Sequence, residues 1–321
     1  MMNLHEKTVI TSGKMRQAAF DLLNEQTHLL AWQQSGRVPA ELFDEWLSQA
    51  DALYSTSGIK INDELLQKAP KLKVISQASV GYDNIDIAAC KRRGIAVANT
   101  PGVSSPAVAD LAYGLIIDSA RRIARGWTHV QSGLWGERKG LGFGVDLAGK
   151  TVGIVGMGGI GSLVAKRVQA SAMKVIYYNR HRRADDVELG AEYVSFEELL
   201  KRADFVVVTA PLNAATKGLF NAETFAAMKP QSRFINVARG AIVDTDALFE
   251  TLHSGHLAYA GLDVTIPEPL PGDHKLLTLN NITVTPHIAS STVETRDAMA
   301  VFAAQNVLYG LQGLPLRGAI E

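Results

Sequence analysis

Three residues set the chemistry open to this chain: Arg239, Glu268 and His287. They are far apart in sequence, but each falls at or just after a short apolar, β-branched run, over Arg233–Val237, Ala258–Val264 and Ile282–Thr285. Strand ends on one edge of a parallel sheet share a neighbourhood, so the three can meet. Together they supply a cation for an anionic substrate, an imidazole for acid–base work and a carboxylate to orient it. Reducing a ketone by hydride transfer builds negative charge on the carbonyl oxygen, which calls for a proton donor and a fixed positive charge. His287 can give the proton, Glu268 can fix its tautomer and favour its charged form, and Arg239 can bind a carboxylate and polarise the adjacent carbonyl. The fitting substrate is a 2-oxo acid. Singly, each residue has a plainer use. Arg239 can pair with Asp244 or Asp246, Glu268 can be an exposed residue between prolines, and His287 can satisfy a backbone carbonyl.

That chemistry needs a hydride source, and the stretch Thr151 to Gly161, TVGIVGMGGIG, has the form of its binding site. An apolar run leads into Gly156, Gly158 and Gly161 at the spacing G-x-G-x-x-G, with Met157, Gly159 and Ile160 between them. Gly156 allows a tight turn, Gly158 lets a pyrophosphate approach the backbone, and Gly161 lets the following helix pack on the strand. The helix N-terminus then offers N–H groups and a partial positive charge to phosphates. The motif alone also suits any close strand-to-helix turn. The next strand, Val175 to Tyr178, ends in NRHRR, Asn179 to Arg183. A site that prefers NAD places an acidic residue here for the ribose 2′-hydroxyl, and this strand end has none. Arg180, Arg182 and Arg183 are expected to converge where the 2′-phosphate of NADPH would sit, with a solvated basic loop as the alternative. NADPH is therefore the expected cofactor, NADH remaining possible. Pro211, after the strand Asp204–Thr209, and Ala238 beside Arg239 complete the expected cofactor contacts.

Elements that would carry these residues alternate between strand and helix along the whole chain, which predicts an α/β fold with parallel sheets. Strand-like runs at Lys7–Ile10, Ala52–Tyr54, Lys73–Gln77 and Ile95–Ala98 are separated by helical patterns at Met15–Asn24, Pro39–Gln49 and Asp63–Ala69. After Gln77 comes ASVGYDNID, a turn at a strand's carboxyl end where α/β folds place ligands, or an ordinary turn with Asn84 as helix N-cap. NTPGV marks a boundary near Thr100. From Ser105 as N-cap a helix should run to about Arg125, followed by an irregular segment, Gly133 to Gly149, whose Trp135 and Phe143 can cover a pocket mouth or a subunit contact. Ser195 with Glu198 forms a capping box, and Thr292 to about Leu311 reads as one amphipathic helix.

Composition narrows the function classes. The 321 residues suggest about two domains. Lys plus Arg equals Asp plus Glu at 32 each, which gives no electrostatic case for nucleic acid or an acidic membrane surface as partner. One cysteine, Cys90, excludes an internal disulfide and any cysteine-based zinc cluster and suits a reducing compartment; it should be a buried thiol. No stretch reaches the roughly 18 apolar residues of a membrane helix, and MMNLHEKTVI lacks a leader's apolar core. A metal-free, cytoplasmic protein is expected.

The blocks ASVGYDNID, NTPGV, VGIVGMGGIG, FINVARGAIVD, AGLDVTIPEPLP and TPHIASST resemble the D-2-hydroxyacid dehydrogenase family over essentially the whole chain, most closely its glyoxylate/hydroxypyruvate reductases. The resemblance implies two Rossmann-like domains with the active site in their cleft, NAD(P)H as cofactor and a homodimer. It implies a discontinuous substrate-binding domain, residues 1–99 and 291–321, around an NAD(P)-binding domain, 100–290, where a linear reading puts everything after Thr100 together. It assigns Arg239 to the substrate carboxylate, Glu268 to the histidine, and His287 to proton donation. The backbone N–H groups of Ser79, Val80 and Gly81 would grip the carboxylate, and Asp263 would lie near the nicotinamide amide. NADPH-using members resemble this chain at Arg180 and Arg183. The loop GERKGLGFG, Gly136 to Gly144, departs from reductases that carry a tryptophan there, and a C-terminal regulatory domain like that of many phosphoglycerate dehydrogenases is not expected. A sugar-acid reductase such as one for 2-ketogluconate, or a dinucleotide-sensing binding protein, is the rival expectation.

Overall fold

The computed structural model describes residues 3–56, 58–137 and 141–320, and they group into two compact units, 1–104 with 292–321, and 105–291. In the first unit the chain runs through β1 (Thr8–Thr11), α1 (Gln17–Asn24), β2 (His28–Leu30), α2 (Ala40–Gln49), β3 (Ala52–Ser55), α3 (Asp63–Gln67), β4 (Val74–Gln77), α4 (Ile87–Arg92) and β5 (Ala96–Ala98). The five strands form one parallel sheet in the order β2-β1-β3-β4-β5. β3 and β4 are buried at every position, as strands covered on both faces must be. Asn62 and Asp86 cap α3 and α4 by accepting the N–H groups of Leu65 and Ala89. The cap of α4 is thus Asp86. Asn84, the expected cap, instead receives Gln77 Nε2 at 3.1 Å and donates to the Ile59 carbonyl at 2.8 Å. Cys90 is fully buried, and burial pushes its thiol up to about 11.

The second unit contains α5 (Ser105–Arg121), α6 (Ile123–Gln131), β6 (Thr151–Val155), α7 (Gly159–Gln169), β7 (Lys174–Tyr178), β8 (Ala191–Tyr193), α8 (Phe196–Arg202), β9 (Phe205–Val208), α9 (Ala222–Ala227), β10 (Arg233–Asn236), α10 (Thr245–His253), β11 (Tyr259–Leu262) and β12 (Ile282–Val284). Its seven strands are all parallel, ordered β12-β11-β10-β9-β6-β7-β8. The chain starts in the middle at β6, winds outward to β8, then returns to β9 and winds the other way. The switch point therefore lies between β6 and β9, where open α/β sheets leave a ligand crevice. One face packs a core around Phe220, Phe225 and Phe234, whose rings meet at 4.8–5.9 Å. The other face is covered by α5 and α7 through Ala109, Ala112, Ile116, Val164 and Val168.

Four expectations are corrected here. The helix from Ser105 stops at Arg121, because Arg122 is left-handed (φ 56°) and the buried Asp118 carboxylate takes the N–H of Ala124 to start α6. Ser105 is itself the first residue of α5. Ser195 caps α8, but Glu198 does not reciprocate, since Arg202 one turn on draws its carboxylate at 2.7 Å. The last helix, α11 (Val293–Leu311), belongs to the first unit, where Ala300, Ala303, Ala304, Val307, Leu308 and Leu311 pack on Val9, Ala52, Tyr54 and Val74. Its C-terminal half is buried on more than one face, Asn306 included, so it is less amphipathic than its sequence suggests. Among the described residues no helix is long and apolar enough to cross a membrane, and no group of three or more His, Cys, Asp or Glu side chains is placed to hold a metal ion.

Candidate active site

The switch point of the seven-stranded sheet holds a cavity of about 360 Å³, lined by the turn after β6, by Tyr178 to His181 after β7 and by Thr209 to Pro211 after β9. Gly156 opens the turn with φ 101°, and a Cβ there would stand 2.5 Å from the Ala210 nitrogen, so only glycine fits. The Thr209 hydroxyl donates to the Gly156 carbonyl at 2.7 Å, and Asn179 Oδ1 accepts the Met157 N–H at 2.7 Å. At Gly158, by contrast, nothing lies within 4 Å of where a Cβ would be. Open space at that glycine, ahead of the first N–H groups of α7 at Gly159 and Ile160, is the cradle a pyrophosphate needs. The residues present therefore fit a dinucleotide.

The three arginines are held differently. Arg180 lines the cavity together with His181, a residue that the sequence pattern does not single out although it stands between the arginines of NRHRR. Arg182 instead pairs with Asp186 at 2.7 Å. Arg183 is gripped by both oxygens of Asp185, at 2.7 Å each, and hydrogen bonds from that guanidinium hold the Asp185 carboxyl below its ordinary range. The two aspartates follow the strand end by several residues, beyond the position where an acidic partner is sought.

Across the same sheet, β10, β11 and β12 are neighbours, and Arg239, Glu268 and His287 follow their carboxyl ends. His287 Nδ1 and Glu268 Oε1 are 2.6 Å apart, with both side chains about two-fifths exposed. An Nδ1–H held by a carboxylate leaves Nε2 as the nitrogen that can exchange a proton outward. His287 is left-handed, φ 54°, an uncommon state for a residue with a Cβ. Asp263 over-determines that state. Its carboxylate, 1% exposed, accepts the Thr285 hydroxyl at 2.6 Å and the N–H groups of Ile288 and Ala289 at 2.9 Å each, while its carbonyl accepts the His287 N–H at 3.0 Å. Strain held in this way is typical of functional loops. Both Asp263 oxygens thus hold the histidine loop.

Arg239 leaves β10 through a turn clipped by the buried Asn236, whose side chain donates to the Arg239 carbonyl at 2.9 Å and accepts the Ala238 N–H at 3.0 Å. Arg239 Nη1 donates to the Ala238 carbonyl at 2.8 Å. Its supposed alternative partners are occupied, Asp244 capping α10 and Asp246 pairing with Lys275 at 2.8 Å. In the first unit, the Ser79–Val80–Gly81 turn has every carbonyl engaged: Ser79 by the Thr100 N–H at 3.2 Å, Val80 by Asn99 Nδ2 at 2.6 Å, and Gly81 by the Ser79 hydroxyl at 2.8 Å. Among the described residues its N–H groups donate to no backbone carbonyl.

Comparison with known proteins sharpens this geometry. Residues 113–289 match the model for the D-isomer specific 2-hydroxyacid dehydrogenase NAD binding domain. A glyoxylate reductase from Pyrococcus furiosus is 41% identical over 295 residues, covering 90% of this chain and 87% of that protein. The chain belongs to the D-2-hydroxyacid dehydrogenase family. A Thermus thermophilus protein of known crystal structure is similar at 40% identity, with a TM-score of 0.91 over 98% of this chain and all of that one. The NADPH-dependent glyoxylate/hydroxypyruvate reductase from Sinorhizobium meliloti, solved with NADP and malonate, is 29% identical with a TM-score of 0.86, covering 98% and 96% of the two chains. As a D-2-hydroxyacid dehydrogenase, the chain is an oxidoreductase with a nicotinamide-dinucleotide-binding domain.

Proposed function

We propose that this dehydrogenase reduces glyoxylate and hydroxypyruvate to glycolate and D-glycerate, with NADPH preferred to NADH. The Glu268–His287 hydrogen bond at 2.6 Å, on a loop held by Asp263, is the observation that carries the reading. The dinucleotide, when bound, supplies hydride to the carbonyl carbon. Arg239 binds the substrate carboxylate and draws electron density toward the carbonyl oxygen, and the N–H groups of the Ser79–Gly81 turn serve the substrate-binding domain as carboxylate donors. His287 Nε2 passes its proton to the oxygen as charge develops there, and Glu268 stabilises the imidazolium before transfer and fixes the ring. Residues 1–99 with 291–321 form the substrate-binding domain and 100–290 the NAD(P)-binding domain. The sole cysteine, a buried free thiol, suits the cytoplasm.

Steady-state assays with NADPH against glyoxylate, hydroxypyruvate, pyruvate and 2-ketogluconate test the proposal. We expect the highest kcat/KM on the first two substrates. A preference for 2-ketogluconate would move the activity to sugar acids, and no turnover on any member of the panel would overturn the enzymatic reading.

A further inference from the structure

Beneath the Ser79–Val80–Gly81 turn lies Gln77, the last residue of β4, fully buried although it is polar. Its Nε2 faces three acceptors: Ser79 Oγ at 3.2 Å, the Gly81 carbonyl at 3.4 Å and Asn84 Oδ1 at 3.1 Å. Its Oε1 has no partner among the described residues. Asn84 decides which way this amide faces. Because Asn84 Nδ2 donates to the Ile59 carbonyl at 2.8 Å, it offers Gln77 its oxygen, and only a donor can answer. The Ser79 hydroxyl extends the hold by donating to the Gly81 carbonyl at 2.8 Å.

Fixing carbonyls fixes N–H groups. The peptides of the turn are planar and trans, so a carbonyl drawn to one side sends the N–H of the next residue to the other. The Ser79 and Val80 carbonyls, held by the Thr100 N–H and Asn99 Nδ2, thus orient the N–H groups of Val80 and Gly81. In the same way the Gly81 carbonyl, held by Gln77 and Ser79, orients the N–H of Tyr82. None of these three N–H groups donates to a backbone carbonyl among the described residues.

We infer that Gln77 is a positioning residue for 2-oxo acid reduction, its buried amide setting the peptide that adds the Tyr82 N–H to those of Val80 and Gly81 as carboxylate donors. The inference rests on reading this turn as the carboxylate site. Gln77 meets the substrate only through the turn, so its loss falls on binding that ground and transition states share rather than on hydride or proton transfer.

Gln77→Met keeps the length of the side chain and removes its donors. In the full chain it should raise KM for glyoxylate about tenfold, with kcat within about twofold of wild type. Calorimetric titration with oxalate at saturating NADPH, a probe that cannot be reduced, should weaken by the same factor, while NADPH affinity is unchanged. Gln77→Glu has the same shape but no N–H when ionised, so it should act at least as strongly and keeps the test decisive if Gln77→Met folds poorly. Ser79→Ala cuts the Gly81 clip from its other end, so its effect and that of Gln77→Met should be less than additive in the double variant. Oxalate affinity and KM unchanged in both Gln77 variants, but weakened in Val80→Pro, which deletes a turn N–H outright, overturn the role of Gln77 alone. A fall in kcat with KM and oxalate affinity unchanged overturns it too. Oxalate affinity unchanged in a folded Val80→Pro overturns the carboxylate reading and the inference with it.

Discussion

At the scale of single residues, His287 is the most informative position. Its side chain meets Glu268, and its backbone is held left-handed by hydrogen bonds that converge on Asp263. His287→Gln keeps a polar side chain of similar reach but cannot exchange a proton near neutral pH. It should lower kcat for glyoxylate by on the order of 100-fold or more, with thermal stability close to wild type. A kcat within a few-fold of wild type in stopped-flow and steady-state assays would remove His287 as proton donor. The histidine and glutamate are legible in the sequence because each follows a strand that residue types mark clearly. Asp263 is legible as a site residue, but its bonds to the histidine loop are not, since they depend on a loop path that spacing does not encode. Asp185 and Asp186 escape notice as partners of the arginines for the same reason: the turn of backbone after β7 decides which charges meet.

At the scale of elements, apolar and β-branched runs are readable even in three-residue edge strands such as β5 and β12, whereas the edge strands β2 and β8 are not. His28–Leu30 and Ala191–Tyr193 carry no β-branched residue, and they are ordered by pairing with β1 and β7 rather than by their own composition. The break at Arg122 is equally hidden, because it is enforced by Asp118, whose other oxygen accepts the Thr283 hydroxyl of β12 at 2.6 Å. The starts of the central strands carry a testable charge. Burial pushes the Asp204 carboxyl up, but the Lys229 ammonium at 2.7 Å and the Thr151 N–H at 2.9 Å outweigh it and hold the group below its ordinary range. A carboxyl lowered on folding adds stability above its unfolded pKa of about 3.9 and loses it as pH falls through the folded value. Asp204→Asn should therefore lower Tm at pH 7, and the gap to wild type should close progressively below about pH 4. A gap that stays constant from pH 7 to pH 3 in thermal melts would show that ionisation of Asp204 contributes nothing.

At the scale of the whole molecule, the segment around α6 is the main departure from ordinary surface. No residue of α6 is buried, and Ile123, Trp127, Trp135 and Phe143 are between 57% and 95% exposed within 21 residues of chain. Large exposed apolar side chains gathered in one segment mark an association site more often than scattered single ones do. Residues 138–140 of the loop expected to differ from other reductases lie outside the described residues. We expect the chain to be a homodimer that uses this face, so light scattering coupled to size exclusion should give twice the monomer mass for wild type and a shift toward monomer for Trp127→Glu. A wild-type monomer at micromolar concentration would refute this. None of this is readable from composition, because equal numbers of acidic and basic residues say nothing about where apolar side chains gather.

The return of α11 to the first unit has a consequence for biosynthesis. Val9, Ala52, Tyr54 and Val74 are covered by side chains from a helix that begins at Val293, with the whole second unit made in between. At about 5–20 residues per second, a ribosome leaves that sheet face uncovered for roughly 10–40 s after its strands emerge. The second unit, contiguous in the chain, can close first. The unit synthesised first is thus the last to be completed, and its open apolar face is where a nascent-chain chaperone would have reason to bind.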